Sequence, residues 1–348
     1  MQAIRWGFYP LVAADETARM WLQLQANLQL APTTIDAYGR SLNDYLAFCA
    51  NHHITPQQLS REHIALYVQD LSTRPNPKAK HAPASTAPPG LSNSTIQQRI
   101  TVARLYHDYL VEKQLRTDHP ISRGQYVPGR AFGGTRPRAL VPSYHKLPWI
   151  PADSEWLTIL QTLREEPLRN QLMFLLAYDG ALRREELVTL EIGDIDVAYR
   201  QIRVRAECAK NGAERIVNYG SVTSRLFEAY LHQRRTLSSQ PGSLFLSESR
   251  RNRAQPLSLV MWSKIVQKIA RRAGVPRLTT HTPRHLRLTH LARAHLDLHA
   301  IARYAGHRSI QTTMLYIHLS GVELTEAVQR SLRTFERWIA IAFEEEHL

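Results

Sequence analysis

The 348-residue chain carries 44 Lys and Arg against 30 Asp and Glu, a formal charge of +14, and is long enough for two domains that each bury a core. Such an excess points to a polyanionic partner, nucleic acid first. Cys49 and Cys208, the two cysteines, belong to no Cys-x-x-Cys pair and argue against a disulfide framework or a zinc site; no apolar run approaches the roughly 18 residues of a bilayer span, so a cytoplasmic protein with no membrane partner is expected.

Residues 1–121 read as a small helical domain. After an opening helix around Thr17 to Leu28, Thr34 is the predicted cap of a helix in which Ile35, Tyr38, Leu42, Tyr45 and Cys49 recur at helical spacing. Ser60 caps another, with Ile64, Tyr67, Val68 and Leu71, and a helix starting near Ser94 carries Ile96, Ile100, Ala103, His107 and Leu110. Between the last two, Thr73 to Asn93 is a proline-rich basic loop with Lys78, Lys80 and His81. From His119 to Pro151 there is no acidic residue but there are Arg123, Arg130, Arg136, Arg138 and Lys146, and residues 122–151 are read as an interdomain linker.

A second domain, 152–330, alternates helices with one small antiparallel sheet. An apolar helix from near Gln171 ends at Gly180-Ala181-Leu182-Arg183-Arg184-Glu185-Glu186-Leu187, which opens the next helix and leaves an arginine at the junction. Ile202, Val204 and Ala206 alternate with charged residues, Lys210-Asn211-Gly212 has hairpin chemistry, and Ile216 to Tyr219 return, which places Lys210 at a hairpin tip. From Ser249 to Leu296 no carboxylate occurs among eleven Lys and Arg, a field suited to holding DNA. Within it stands His281-Thr282-Pro283-Arg284-His285, where Pro283 is compatible with the first turn of a helix beginning around Thr282. Ala305-Gly306-His307 and Tyr316 follow. Residues 331–348 are expected to form a last helix whose apolar stripe, Phe335, Trp338, Ile339, Ala342 and Phe343, packs either on its own domain or on a neighbouring copy.

Arginine forks match phosphate oxygens, histidine moves protons near neutral pH, and a tyrosine hydroxyl beside both can attack phosphorus. The set Arg183, Lys210, His281, Arg284, His307 and Tyr316 closely resembles the motif of the tyrosine recombinases, or phage integrases: an arginine in a Gly-Leu-Arg-x-x-Glu-Leu box, a hairpin lysine, His-x-x-Arg, Gly-His and a tyrosine. Arg183 rather than Arg184 has Glu186 and Leu187 at the family's spacing. Ala181, Pro283 and Ala305 depart from the usual glycine, leucine and leucine, but none removes a functional group.

The resemblance implies a mainly α fold with a small antiparallel β-sheet, comprising a helical N-terminal core-binding domain and a mixed α/β catalytic domain of the tyrosine recombinase type. It implies strand exchange through a 3′-phosphotyrosine and a Holliday junction, with Tyr316 as nucleophile, Arg183, Arg284 and His307 on the phosphate, His281 taking the tyrosine proton and Lys210 as general acid. Arg99, Arg136, Arg138, Lys146, Arg215 and Arg287 are the expected DNA contacts. No cofactor and no metal are expected. The implied partners are double-stranded recombination sites, further copies of the chain in a tetrameric synapse built by donation of helix 331–348, and accessory directionality proteins, in the nucleoid of a prokaryotic or phage-carrying cell. A type IB topoisomerase shares the chemistry, and a DNA-binding regulator on the same fold is the non-enzymatic alternative; the four N-terminal helices and the terminal stripe favour recombination over relaxation, and the intact residue set argues against a regulator.

Affinity for duplex DNA is expected to fall steeply with salt, with a log–log slope of roughly −0.9 per phosphate contact. Replacing Arg136 and Arg138 by Ala is expected to reduce that slope in a binding titration while leaving cleavage of bound substrate unchanged.

Overall fold

A computed structural model describes residues 4–75, 90–121, 141, 147–320, 328, 329 and 332. The predicted contributions of Lys78, Lys80, His81, Arg136, Arg138, Lys146 and the 331–348 stripe lie outside these residues. The chain divides into two compact units, 1–145 and 146–348.

The first unit contains α1 (Pro10–Ala14), α2 (Glu16–Asn27), α3 (Pro32–Asn51), α4 (Arg61–Thr73) and α5 (Asn93–Glu112). Asp15 caps α2 by accepting from the Ala18 amide, and Ser60 heads a capping box with His63. One predicted cap shifts: Pro32, whose fixed φ suits a first helical position, starts α3 ahead of Thr34. α5 begins near Ser94 as expected, with Ser92 accepting from the amide of Thr95. The apolar stripes meet around Trp21, Tyr45, Tyr67 and Tyr106, all fully buried, and each large side chain removed from water contributes about 1.5–3 kcal/mol. Asp44 ties α3 to α4 and α5: it accepts from the Tyr67 hydroxyl at 2.8 Å and pairs with Arg74 at 2.7 Å and Arg99 at 2.5 Å. Arg99 is therefore engaged within its own unit, its charge directed at a carboxylate.

The second unit opens with α6 (Asp153–Leu163), α7 (Leu168–Asp179) and the short α8 (Arg184–Val188). A three-stranded antiparallel sheet follows: β1 (Ile195–Asp196), β2 (Gln201–Val204) and β3 (Arg215–Asn218), in that order. Ile202 faces Val217 across the β2–β3 ladder and Val204 faces Arg215; Ile202, Val204 and Val217 are buried, which fixes the register. Ala206 lies in the turn beyond β2, where Gly212 takes a left-handed φ of 66°. A sheet of strands this short relies on surrounding helices for its stability. After the sheet come α9 (Ser221–Arg235), α10 (Leu259–Arg272), α11 (Thr282–Arg293), α12 (Leu298–Ala305) and α13 (Ile310–Ser320). α11 begins at Thr282 with Pro283 in its first turn.

One core joins α6, α7, α9 and α10 to the sheet through Phe174, Phe227, Tyr230 and Trp262. A smaller cluster of Ala181, Leu288, Ala292, Ile301, Ala305 and Tyr316 packs α11, α12 and α13 against the α7–α8 junction. Among the described residues, no helix is long and apolar enough to cross a membrane.

Candidate active site

The α7–α8 junction supplies the first component. Gly180 ends α7, Ala181 adopts a left-handed φ of 46°, and Arg183 occupies the N-cap of α8. The backbone amide of Arg183 donates to Glu186 Oε2 at 2.8 Å, its Nη1 donates to Glu186 Oε1 at 2.8 Å, and its Nη2 donates to the Gly306 carbonyl at 2.8 Å. Arg184, by contrast, is partly exposed and its nearest acid is Glu185 at 3.9 Å.

Glu186 is buried, and Arg215 of β3 grips it from the other side with Nη1–Oε1 and Nη2–Oε2 distances of 2.9 and 2.6 Å. Burial alone would raise the carboxyl pKa; the hydrogen bonds and charge of Arg215, joined by those of Arg183, bring it instead from 4.5 to about 2. Arg215 Nε also donates to the Tyr304 carbonyl at 3.0 Å. The expected DNA contact at Arg215 is thus corrected: the side chain is buried, its fork is occupied, and it organises the site from behind. Strand alternation and the Lys210-Asn211-Gly212 turn predicted the hairpin without showing which way Arg215 points.

Gly306 ends α12 with a left-handed φ of 62°, and a Cβ there would sit 3.1 Å from Arg215 Nη1. A glycine is required on both counts, and its carbonyl is the acceptor for Arg183. This is the physical content of the Gly-His pair.

Arg284, from the first turn of α11, is 4% exposed and makes no carboxylate contact. It donates to the carbonyls of Ala181 and Ala305, the latter at 2.6 Å, and to His307 Nε2 at 3.0 Å. Burial, with Arg183 nearby, lowers its pKa to about 9, so it remains charged at neutral pH. An arginine can only donate, so His307 Nε2 accepts, and the His307 proton resides on Nδ1, which donates to Thr313 Oγ1 at 2.9 Å. Burial, then Arg284, holds this imidazole near a pKa of about 3 and hence neutral. Three guanidiniums therefore surround one carboxylate, leaving two positive charges in excess in a desolvated pocket.

Tyr316 on α13 joins this cluster. It is 3% exposed, and its ring lies near-parallel to those of His307 (centroids 5.9 Å apart, interplanar angle 10°) and His285 (5.8 Å, 28°). Burial raises the phenol pKa, and Arg284 and Arg183 oppose that rise. The hydroxyl is 2.8 Å from His285 Nδ1. Sequence reasoning assigned the tyrosine proton to His281, but the histidine bonded to the hydroxyl is His285, one helical turn further along α11. His281 lies at the mouth of the site; desolvation and the charges of Arg184, Arg284 and Arg183 lower its pKa. Lys210 is exposed in the β2–β3 turn and makes no hydrogen bond or ion pair with the cluster among the described residues. Arg287 packs over the Tyr178 ring at 5.5 Å. Part of the basic field is engaged within its own unit: Lys268 and Arg272 pair with Glu166 at 3.1 and 2.6 Å, and Arg277 covers Trp149.

The tyrosine recombinase XerC of Herpetosiphon aurantiacus is 31% identical over 309 residues, spanning 86% of this chain and 90% of that protein. The chain belongs to the tyrosine recombinase, or phage integrase, family. Its phage integrase family region spans residues 152–322, and a phage integrase N-terminal SAM-like domain spans 19–114. The XerD recombinase of Oceanobacillus iheyensis is 26% identical over 86% of this chain and 92% of its own. The tyrosine recombinase fold is shared with XerH bound to palindromic difH substrate in a post-cleavage complex (TM-score 0.62, 18% identity, 85% of this chain and 79% of that one). It is shared too with a lambda integrase dimer on a COC′ core site (TM-score 0.62, 14% identity, 86% and 93%).

Replacing Glu186 by Gln removes the charge that both arginines face, and breaking a buried pair from one side costs about 3 kcal/mol or more. Because folding lowers the Glu186 pKa from 4.5 to about 2, its stabilisation is complete above pH 4.5 and is lost as pH falls toward 2. The melting-temperature gap between wild type and Glu186→Gln is expected to be widest above that window and to close within it.

Proposed function

We propose that this tyrosine recombinase is a site-specific DNA recombinase that cleaves and rejoins strands through a 3′-phosphotyrosine and exchanges them through a Holliday junction. The observation that carries this reading is the burial of a tyrosine hydroxyl in a cluster of three guanidiniums and one carboxylate, in which Arg183 and Arg215 hold Glu186 and Arg284 contacts no acid.

A phosphodiester brings one negative charge, which spreads over its nonbridging oxygens as the pentacoordinate state forms. Cations fixed around that position stabilise the transition state more than the ground state. Arg183 and Arg284 would supply them; His281, at the mouth of the site, would add a hydrogen bond without competing for the charge. The Tyr316 oxygen attacks phosphorus, its proton passes to a histidine of α11, and the departing 5′ oxygen takes a proton from Lys210, which its hairpin carries to the DNA. The ester is conserved in the phosphotyrosine, so a 5′ hydroxyl can reverse the step with neither ATP nor a metal.

In this assignment residues 1–121 grip the DNA, 122–151 form the basic linker, 152–330 carry the chemistry, and helix 331–348 passes to a neighbouring subunit in a tetrameric synapse. Arg136, Arg138, Lys146 and Arg287 are assigned to DNA phosphates, with accessory proteins setting direction. The XerH complex with difH supports a recombination site as substrate.

Tyr316→Phe is expected to abolish the covalent adduct on a nicked suicide substrate, seen by denaturing gel, while affinity in a mobility-shift titration stays within about threefold. An adduct from this variant overturns the proposal. Lys210→Ala is expected to slow cleavage by about a hundredfold or more. A bridging 5′-phosphorothiolate, whose sulfur leaves without a proton, should rescue that variant selectively; equal slowing on both substrates removes Lys210 as the acid.

A further inference from the structure

We propose that His285, rather than His281, is the catalytic residue that accepts the Tyr316 proton. This inference rests on the recombinase reading and assigns a role within the same site.

The geometry is local and specific. His285 Nδ1 is 2.8 Å from the Tyr316 oxygen, within the reach required for direct proton transfer. The His285 and Tyr316 rings lie at 28° with centroids 5.8 Å apart, and His307 also lies against the Tyr316 ring, but the bond from the hydroxyl runs to His285. A phenol is a stronger acid than a neutral imidazole N–H, so the favoured arrangement has Tyr316 donating and Nδ1 accepting. His307 cannot accept this proton through Nε2, which is occupied by Arg284, or through Nδ1, which donates to Thr313.

The groups facing His285 are Arg284 and His281 on its own helix and Tyr316 on α13. Burial, then His281 and Arg284, lowers its pKa to about 4, so the imidazole is neutral and ready to accept at physiological pH. A bound phosphodiester would offset the positive field that disfavours the imidazolium. His281, beside Arg183, Arg184 and Arg284 at the mouth, is then free to donate to a phosphate oxygen.

The step balances. The Tyr316 O–H bond breaks and its electron pair remains on oxygen, which forms the new O–P bond; the proton moves to His285 Nδ1. The P–O5′ bond breaks with its pair on O5′, which takes the proton of Lys210.

The test is single-turnover cleavage of a nicked suicide substrate by full-length protein, carrying either tyrosine or a ring-fluorinated tyrosine at position 316. Fluorination makes the phenol easier to ionise and reduces the need for a base. His285→Asn keeps a polar atom near Nδ1 but cannot take the proton; it is expected to slow adduct formation about a hundredfold or more with tyrosine, and to approach the rate of the matched wild type with the fluorinated nucleophile. His281→Asn is expected to show the same defect with both nucleophiles. If His285→Asn cleaves within twofold of wild type, or is slowed equally with both nucleophiles, His285 is not the acceptor. His285→Gln is measured in parallel under the same criteria should the Asn variant melt early. Adduct formation by Tyr316→Phe is a separate outcome that overturns the recombinase reading itself.

Discussion

Everything in the catalytic unit converges on the Glu186 carboxylate. It lies at the start of α8, yet it fixes two arginines from different parts of the chain: Arg183 three residues before it and Arg215 twenty-nine residues after it. Those arginines in turn hold the carbonyls of Gly306 and Tyr304. One anion thereby locks the α7–α8 junction, the sheet and the end of α12 into a single arrangement. A charge buried this way is stabilising only when its partners are present and well oriented, which is why bidentate arginine suits the position better than lysine would.

A single carboxylate orients the arginines without cancelling their charge. Arg284 is solvated by backbone carbonyl dipoles and by His307 instead of an acid, so its charge stays available to an incoming anion. Both His285 and His307 are held neutral by burial and by the arginines around them. Neutral rings can pack against Tyr316 and direct its hydroxyl without adding to the repulsion. The arrangement is electrostatically preorganised: fixed dipoles and charges are set before substrate arrives, and little reorganisation is left for the reaction.

Small departures from the family's pattern also have a place in this geometry. Ala181 replaces the usual glycine in a left-handed conformation, a strain of roughly 1–2 kcal/mol, while its methyl is buried against α11 to α13 and its carbonyl receives Arg284. Ala305 is small and fully buried where a leucine is usual, and its carbonyl also receives Arg284.

The sequence by itself determined the helical stripes, the hairpin with Lys210 at its turn, the start of α11 at Thr282, and the spacing that sets Arg183 apart from Arg184. Each of these follows from short-range periodicity, turn chemistry or a contact three residues away. Pro32 displaced the predicted cap at Thr34 because its fixed φ already suits a first helical position. The direction of Arg215 and the partner of Tyr316 were decided only by tertiary structure. A strand arginine faces core or solvent according to the register of a three-stranded sheet and the depth of Glu186. His281, the N-cap of α11, and His285 stand four residues apart, so periodicity treats them alike; the packing of α13 across that helix, joining residues 31 apart, selects His285.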